Sequence, residues 1–327
     1  MIPGSANPLL LASAAAGGYS ISRSLRFNSS DSAYLSRTPA SAGNRKTWTW
    51  AGWVKRSSLS AGAVLFDARA GSPVSLTNIS FGSDNTINIV NFLSGTPTFG
   101  LTTTAVFRDP SAWYHITVAF DTTNATAANR VKIYVNGVEQ TVGLLATYST
   151  TYPAQNTDSH INNNIAHAIA SRATVGDHFS GYLADIHFID GQALTPSSFG
   201  EFSATTGVWM PKAYTGSYGT NGFRLDFADN SAATATTLGK DAAGSNNWTP
   251  NNLSVSSGPE PSLAHLTAAV AITGPSTATQ PLTWALATSR LSAGCVLMQC
   301  QPARFIPALN GFLEQDQQTL LLGLSST

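Results

Sequence analysis

Hydrolysis of a glycosidic bond needs two carboxyl groups facing each other across it. The most acidic strand-like stretch here is Asp185-Ile186-His187-Phe188-Ile189-Asp190, with two aspartates five residues apart. Side chains alternate between the faces of a strand, so an odd spacing sends the pair to opposite sides. Glu201 follows only after Thr195-Pro196-Ser197-Ser198, which reads as a short helix start with Thr195 as cap and Pro196 at the first helical position. The six histidines, His115, His160, His167, His178, His187 and His265, are scattered, and no nucleophile motif accompanies them. Gly239-Lys240 lacks the flanking glycines of a phosphate loop. Cys295 and Cys300 have no companion ligands for zinc and are expected as unpaired thiols. No catalytic constellation emerges, and no enzyme activity is expected.

Binding is the chemistry left, and loops on a β scaffold usually carry it. The polar run from Thr147 to Arg172 is expected to be a long loop, and Asp177-His178 a rim site after it. The ligand-binding candidates are therefore Tyr148, Tyr152, His160, Asp177 and His178. Aromatic rings would stack on a sugar, and polar groups would bond its hydroxyls.

Strands must position these residues. Tyr114, Ile116, Val118 and Phe120 alternate with His115, Thr117 and Ala119, which puts one apolar row on one sheet face. Val131, Ile133 and Val135 repeat the pattern, and Asn136-Gly137 then marks a hairpin before a strand over Val138 to Val142. His115 belongs to this framework, as does His187 in its own strand. In Thr47 to Lys55, Trp48, Trp50 and Val54 share one face, expected as core, and Trp53 takes the other. Thr-rich residues leading to Val106-Phe107 are expected to be a link.

The totals bound the rest. With 327 residues, the chain can hold one large β domain with appendages. Zero formal net charge and 10% charged residues argue against an electrostatic grip on nucleic acid or anionic lipid. No apolar run reaches a membrane span, and Leu9-Leu10-Leu11 lacks the preceding basic residue of a secretory signal. The expected organisation is an N-terminal arm over 1–22, a β domain over 23–206, a Gly/Asn-rich β extension over 207–257 and a poorly defined tail over 258–327. In the tail lysine disappears, prolines interrupt every pattern and strand alternation fades; a shifted reading frame would account for the change.

Four blocks in order carry a resemblance: Ser24-Leu25-Arg26-Phe27 through Ala33-Tyr34-Leu35, Thr47 to Lys55, Trp113 to Gly137, and Gly181 to Leu194. As a set they resemble the concanavalin A-like, laminin G-like jelly-roll family. The resemblance implies an all-β fold, an antiparallel jelly-roll β-sandwich, and calcium at its rim, for which Asp84, Asp121 and Asp177 are the candidates. A narrower resemblance rests on Met1 to Leu10, Arg45-Lys46-Thr47-Trp48 and Tyr214-Thr215-Gly216 through Asn246-Asn247-Trp248-Thr249-Pro250-Asn251-Asn252. It is to tail-fibre and other virion proteins of marine phages. It implies a non-enzymatic virion structural protein, a homo-oligomer whose lectin-like domain binds host-surface glycans. The alternatives are a purely structural decoration protein and a secreted bacterial carbohydrate-binding module.

Overall fold

The computed structural model describes residues 19–59, 62–148, 151–173 and 176–255. Residues 1–18 of the arm lie outside the described residues, as does the tail with Cys295, Cys300 and His265. The chain forms β1 (Leu25–Phe27), β2 (Tyr34–Arg37), β3 (Thr47–Arg56), β4 (Val64–Ala70), β5 (Ser75–Phe81) and β6 (Ile87–Leu93). Then come β7 (Thr96–Thr103), β8 (Tyr114–Asp121), β9 (Val131–Val135), β10 (Val138–Glu139), β11 (Val142–Leu144) and β12 (Ala166–Ile169). The last are β13 (Gly181–Asp190), β14 (Gly200–Phe202), β15 (Trp209–Pro211), β16 (Phe223–Leu225) and β17 (Thr249–Asn251). The helical elements among the described residues are three short 3-10 turns.

These strands build an antiparallel sandwich. One sheet runs β1-β13-β3-β8-β9-β10, with β16 also on β13, and the other runs β11-β7-β6-β5-β4-β12-β2-β17. The expected alternation holds: Ile116, Val118 and Phe120 of β8 face inward, as do Trp48, Trp50 and Val54 of β3. The Trp48 ring stacks on Phe120, with centroids 4.7 Å apart. Phe66, Ile79, Phe81, Ile89, Phe99 and Leu101 meet them from the other sheet. Burying a row of large apolar side chains from each face is the main stabilising term, about 1.5 to 3 kcal/mol per fully buried residue.

Four elements differ from the sequence expectation. The Val138 to Val142 run is not one strand: β10 pairs with β9, and β11 crosses to pair with β7 in the other sheet. Val138 and Glu139 are both exposed, so no buried row holds this run in one sheet. The Thr-rich link contains β7, whose Phe99 and Leu101 are core. The polar run from Thr147 contains β12, held between β4 and β2. Thr195 does sit at the start of a 3-10 turn, but its side chain makes no capping bond.

The 207–257 stretch contributes to both sheets. β16 takes the edge of β13 beyond the end of β1, and β17 closes the edge at β2. Phe223, Leu225 and Trp248 enter the same core as Trp48 and Phe66.

Candidate functional site

The outer face of the larger sheet carries a cleft of about 410 Å³. Alternation makes its floor. Ile79 and Phe81 of β5 and Ile87 and Ile89 of β6 point into the core, so Asn78, Ser80, Asn88 and Val90 point out and line the cleft. Ser80 and Asn88 are opposite each other across the β5–β6 ladder, as are Asn78 and Val90.

Loops supply the walls. Leu145 donates its N–H to the Gly100 carbonyl at 2.8 Å, and a turn then returns the Tyr148 N–H to Leu145. Gly100 permits this descent, because a Cβ there would lie 3.1 Å from the Tyr148 Cβ. The Tyr148 ring meets Phe92 edge-on at 5.4 Å yet stays 40% exposed. On another wall Asp84 accepts the Thr86 N–H at 3.1 Å and its hydroxyl at 2.6 Å. The Thr86 hydroxyl bond, with the backbone bond, holds the Asp84 carboxyl below its ordinary range.

Arg172 lines the cleft and forms an ion pair with Asp177. Its loop is tied down by Asp67, fully buried on β4, which accepts the Ala173 N–H at 2.9 Å and lies 3.4 Å from Arg69 Nε. Burial pushes the Asp67 carboxyl up, against those bonds and the nearby arginines.

The five predicted ligand-binding residues do not converge on one point. Tyr148 lines the cleft, and Asp177 adjoins it through Arg172. His160 is buried: its N–H donates to Thr77 Oγ1 at 2.7 Å, and burial, with Arg45 nearby, lowers its pKa. Tyr152 packs against the core. His178 faces Tyr34, 5.9 Å away between ring centroids, and burial lowers its pKa too. Of the calcium candidates, Asp84 lines the cleft, Asp177 is taken by Arg172, and Asp121 caps its own loop through Thr123. Among the described residues no three His, Cys, Asp or Glu side chains cluster as metal ligands. The sequence reading missed Asn78, Ser80, Asn88 and Arg172. The first three could have been found as the outward partners of the inward Ile79, Phe81 and Ile89.

A family model described as the concanavalin A-like lectin/glucanases superfamily matches residues 27–198. The chain belongs to that superfamily. A search of curated proteins finds no match. Among solved structures, the lectin/glucanase sandwich is similar to the SAP-like pentraxin of Limulus polyphemus at 16% identity. That likeness covers 53% of this chain and 77% of the pentraxin, with a TM-score of 0.37. The Ruminococcus gnavus IT-sialidase CBM40 is 11% identical over 54% of this chain and 95% of its own, with a TM-score of 0.37. Tailspike protein 2 of bacteriophage CBA120 is 12% identical over 54% of this chain and 28% of the tailspike, with a TM-score of 0.34.

The same lectin/glucanase sandwich gives its two strand aspartates different partners. β13 bulges between Ala184 and His187, and Asp185 takes a left-handed φ of 47° there. Asp185 accepts Arg224 Nε and the Tyr19 hydroxyl, each at 2.8 Å, and His187 Nε2 lies 3.2 Å away. Burial alone would raise the Asp185 carboxyl, but His187 and Arg224 outweigh it and hold it far below the usual range. Asp190 instead accepts the Asn44 and Asn221 N–H groups and the Asn162 amide. No helix among the described residues is long and apolar enough to cross a membrane, which says nothing about β-barrels.

Proposed function

We propose that this chain is a non-enzymatic, lectin-like protein of a phage virion, on a tail fibre or appendage, and that it binds host-surface glycans in the cleft on the larger sheet. One observation carries the binding site: the exposed Tyr148 ring stands beside a row of outward amides and hydroxyls from Asn78, Ser80 and Asn88. A pyranose has an apolar C–H face for such a ring and hydroxyls that both donate to and accept from amides. Arg172 is engaged by Asp177 and Asp84 by Thr86, so the cleft favours neutral over acidic sugars. The separate hydrogen-bond networks of Asp185 and Asp190 support binding without hydrolysis. The virion assignment rests on the sequence resemblance through Asn246 to Asn252.

A glycan array probed with the purified chain tests the site. Binding to host-surface glycans is expected, with a loss of roughly tenfold or more for Tyr148→Ala and a smaller loss for Asn88→Ala. Silence on the array together with no adsorption to host cells would refute the glycan reading. Co-purification of the chain with phage particles tests its location.

A further inference from the structure

The smaller sheet carries a second concavity on its outer face. The β14–β15 hairpin stands over the Asn136-Gly137 turn and borders an open groove of about 440 Å³. Trp209, Phe202 and Tyr134 wall it, and Ser197, Glu201 and Lys212 stand at its edge.

Three observations give this groove a chemistry. The Phe202 ring is 52% exposed yet held edge-on against Trp209, with centroids 4.9 Å apart and planes at 71°. It is a fixed apolar surface open to solvent. Second, Trp209 is buried against Trp53 and Ala184, and its indole N–H has no acceptor among the described residues. The indole therefore gives the groove a rigid apolar wall. Two glycines let this ring lie where it does: a Cβ at Gly137 would come within 2.3 Å of it, and one at Gly200 within 2.5 Å. Third, the polar edge is not spent on the fold. The Thr195 hydroxyl pairs with Ser197 Oγ at 2.9 Å instead of capping its turn. The exposed Glu201 carboxylate makes no ion pair or hydrogen bond among the described residues. Among the described residues the Lys212 ammonium reaches only the Ser197 carbonyl, at 3.4 Å.

We infer that this groove is a second saccharide-binding site, selective for a neutral pyranose. The C–H face of the sugar stacks on Phe202, Glu201 accepts from its hydroxyls, and Lys212 and Ser197 donate to them. Glu201 and Lys212 cancel in charge, which disfavours anionic ligands. The groove and the cleft lie on opposite outer faces of the sandwich, so one copy of the chain can engage two glycans. Two weak sites joined in this way gain avidity without a new contact.

The test uses the full chain labelled with fluorotryptophan and read by fluorine NMR, with the Trp209 signal assigned through Trp209→Phe. The probes are methyl glucoside, methyl galactoside, methyl mannoside and maltotriose. At least one probe is expected to move the Trp209 signal saturably. Phe202→Ala and Glu201→Gln should weaken that response about tenfold, and Tyr148→Ala should leave it unchanged. Glu201→Gln is a surface change and keeps the test valid should Phe202→Ala fold poorly. The inference fails if no probe moves the Trp209 signal, or if the response survives both groove variants. It also fails if Phe202→Ala alters only sedimentation, which would make the face a self-association surface. None of these outcomes touches the cleft, which is read separately through Tyr148→Ala.

Discussion

Arg56 ends β3 with its guanidinium fully buried and no carboxylate beside it among the described residues. The charge lies 4.2 Å over the Phe81 ring, and Nη1 donates to Asn85 Oδ1 and the Phe107 carbonyl. Nε and Nη2 have no partner among the described residues, and burial lowers the Arg56 pKa. Such a group costs desolvation that its bonds only partly offset. Arg56→Met, which keeps the volume, is expected to change stability by less than about 1 kcal/mol, whereas Arg56→Ala should cost about 3 kcal/mol through the cavity left. Urea unfolding of both variants checks this, and a large loss for Arg56→Met would show that the charge itself is needed.

Buried histidines set the response to acid. Burial, with His187 nearby, lowers His115 to about 3, and burial lowers His167 to about 4. An unfolded histidine takes up its proton near pH 6.5. Stability is therefore complete above about pH 6.5 and falls as pH drops towards each folded value, because the unfolded chain then binds more protons. From pH 7 to pH 4.5 the expected loss is on the order of 2 kcal/mol per histidine. Asp185, depressed by its partners, adds a further loss only below the usual carboxylate range. Urea midpoints across pH measure this, and His115→Leu should flatten the slope only in part, since His160, His167 and His178 are lowered by burial as well.

At the scale of elements, the Asn136-Gly137 turn shows how one short signal serves two purposes. Asn136 has φ 50° and Gly137 φ 81°, the positive pair that a type I′ hairpin requires. The sequence made that legible. It did not reveal that the Trp209 ring lies on Gly137 and leaves no space for a Cβ. Gly137→Ala therefore meets two penalties, backbone strain and displacement of the indole, and should cost about 2 kcal/mol or more. A change in tryptophan emission should accompany the loss of thermal stability. Asn136→Gly, which keeps the turn and its space, is expected to cost little.

The elements that sequence reasoning missed share a cause. β12 has only Ala166, His167, Ala168 and Ile169 to show, and its place depends on two partners far away in sequence, β4 and β2. β7 presents only Phe99 and Leu101 inward among threonines and a glycine. Short strands in a sheet interior are held by neighbours more than by their own pattern. The candidate sites were legible in the same uneven way. Tyr148 stood out as an aromatic in a polar run, whereas Asn78 and Asn88 gain meaning only when β5 and β6 lie side by side.

At the scale of the molecule, the family match ends at residue 198, but the sandwich does not. β16 and β17 finish edges of the two sheets, and Phe223, Leu225 and Trp248 fill the common core. A chain cut after residue 206 would expose those edges and remove these side chains. It is expected to aggregate or melt at least about 10 °C lower than the full chain, since each large core residue lost costs about 3 kcal/mol. Calorimetry of the two chains decides this; equal melting temperatures would make residues 207–255 a dispensable appendage.

The sequence by itself determined the class of this protein. Period-two alternation in β3, β8 and β9 and an Asn-Gly turn leave little but an antiparallel β fold, because those features are local and set by backbone sterics. Parity along a strand also predicts that Asp185 and Asp190 point apart, but the bulge at Asp185 breaks that count, and it is the fold that gives the two different partners. Only the tertiary structure decided where ligands would be held. The cleft is made by β5, β6 and two distant loops, and the groove by a hairpin resting on another strand's turn. Concave surfaces arise between elements, and the pairing that creates them is fixed by burial of the whole core rather than by any one stretch of chain.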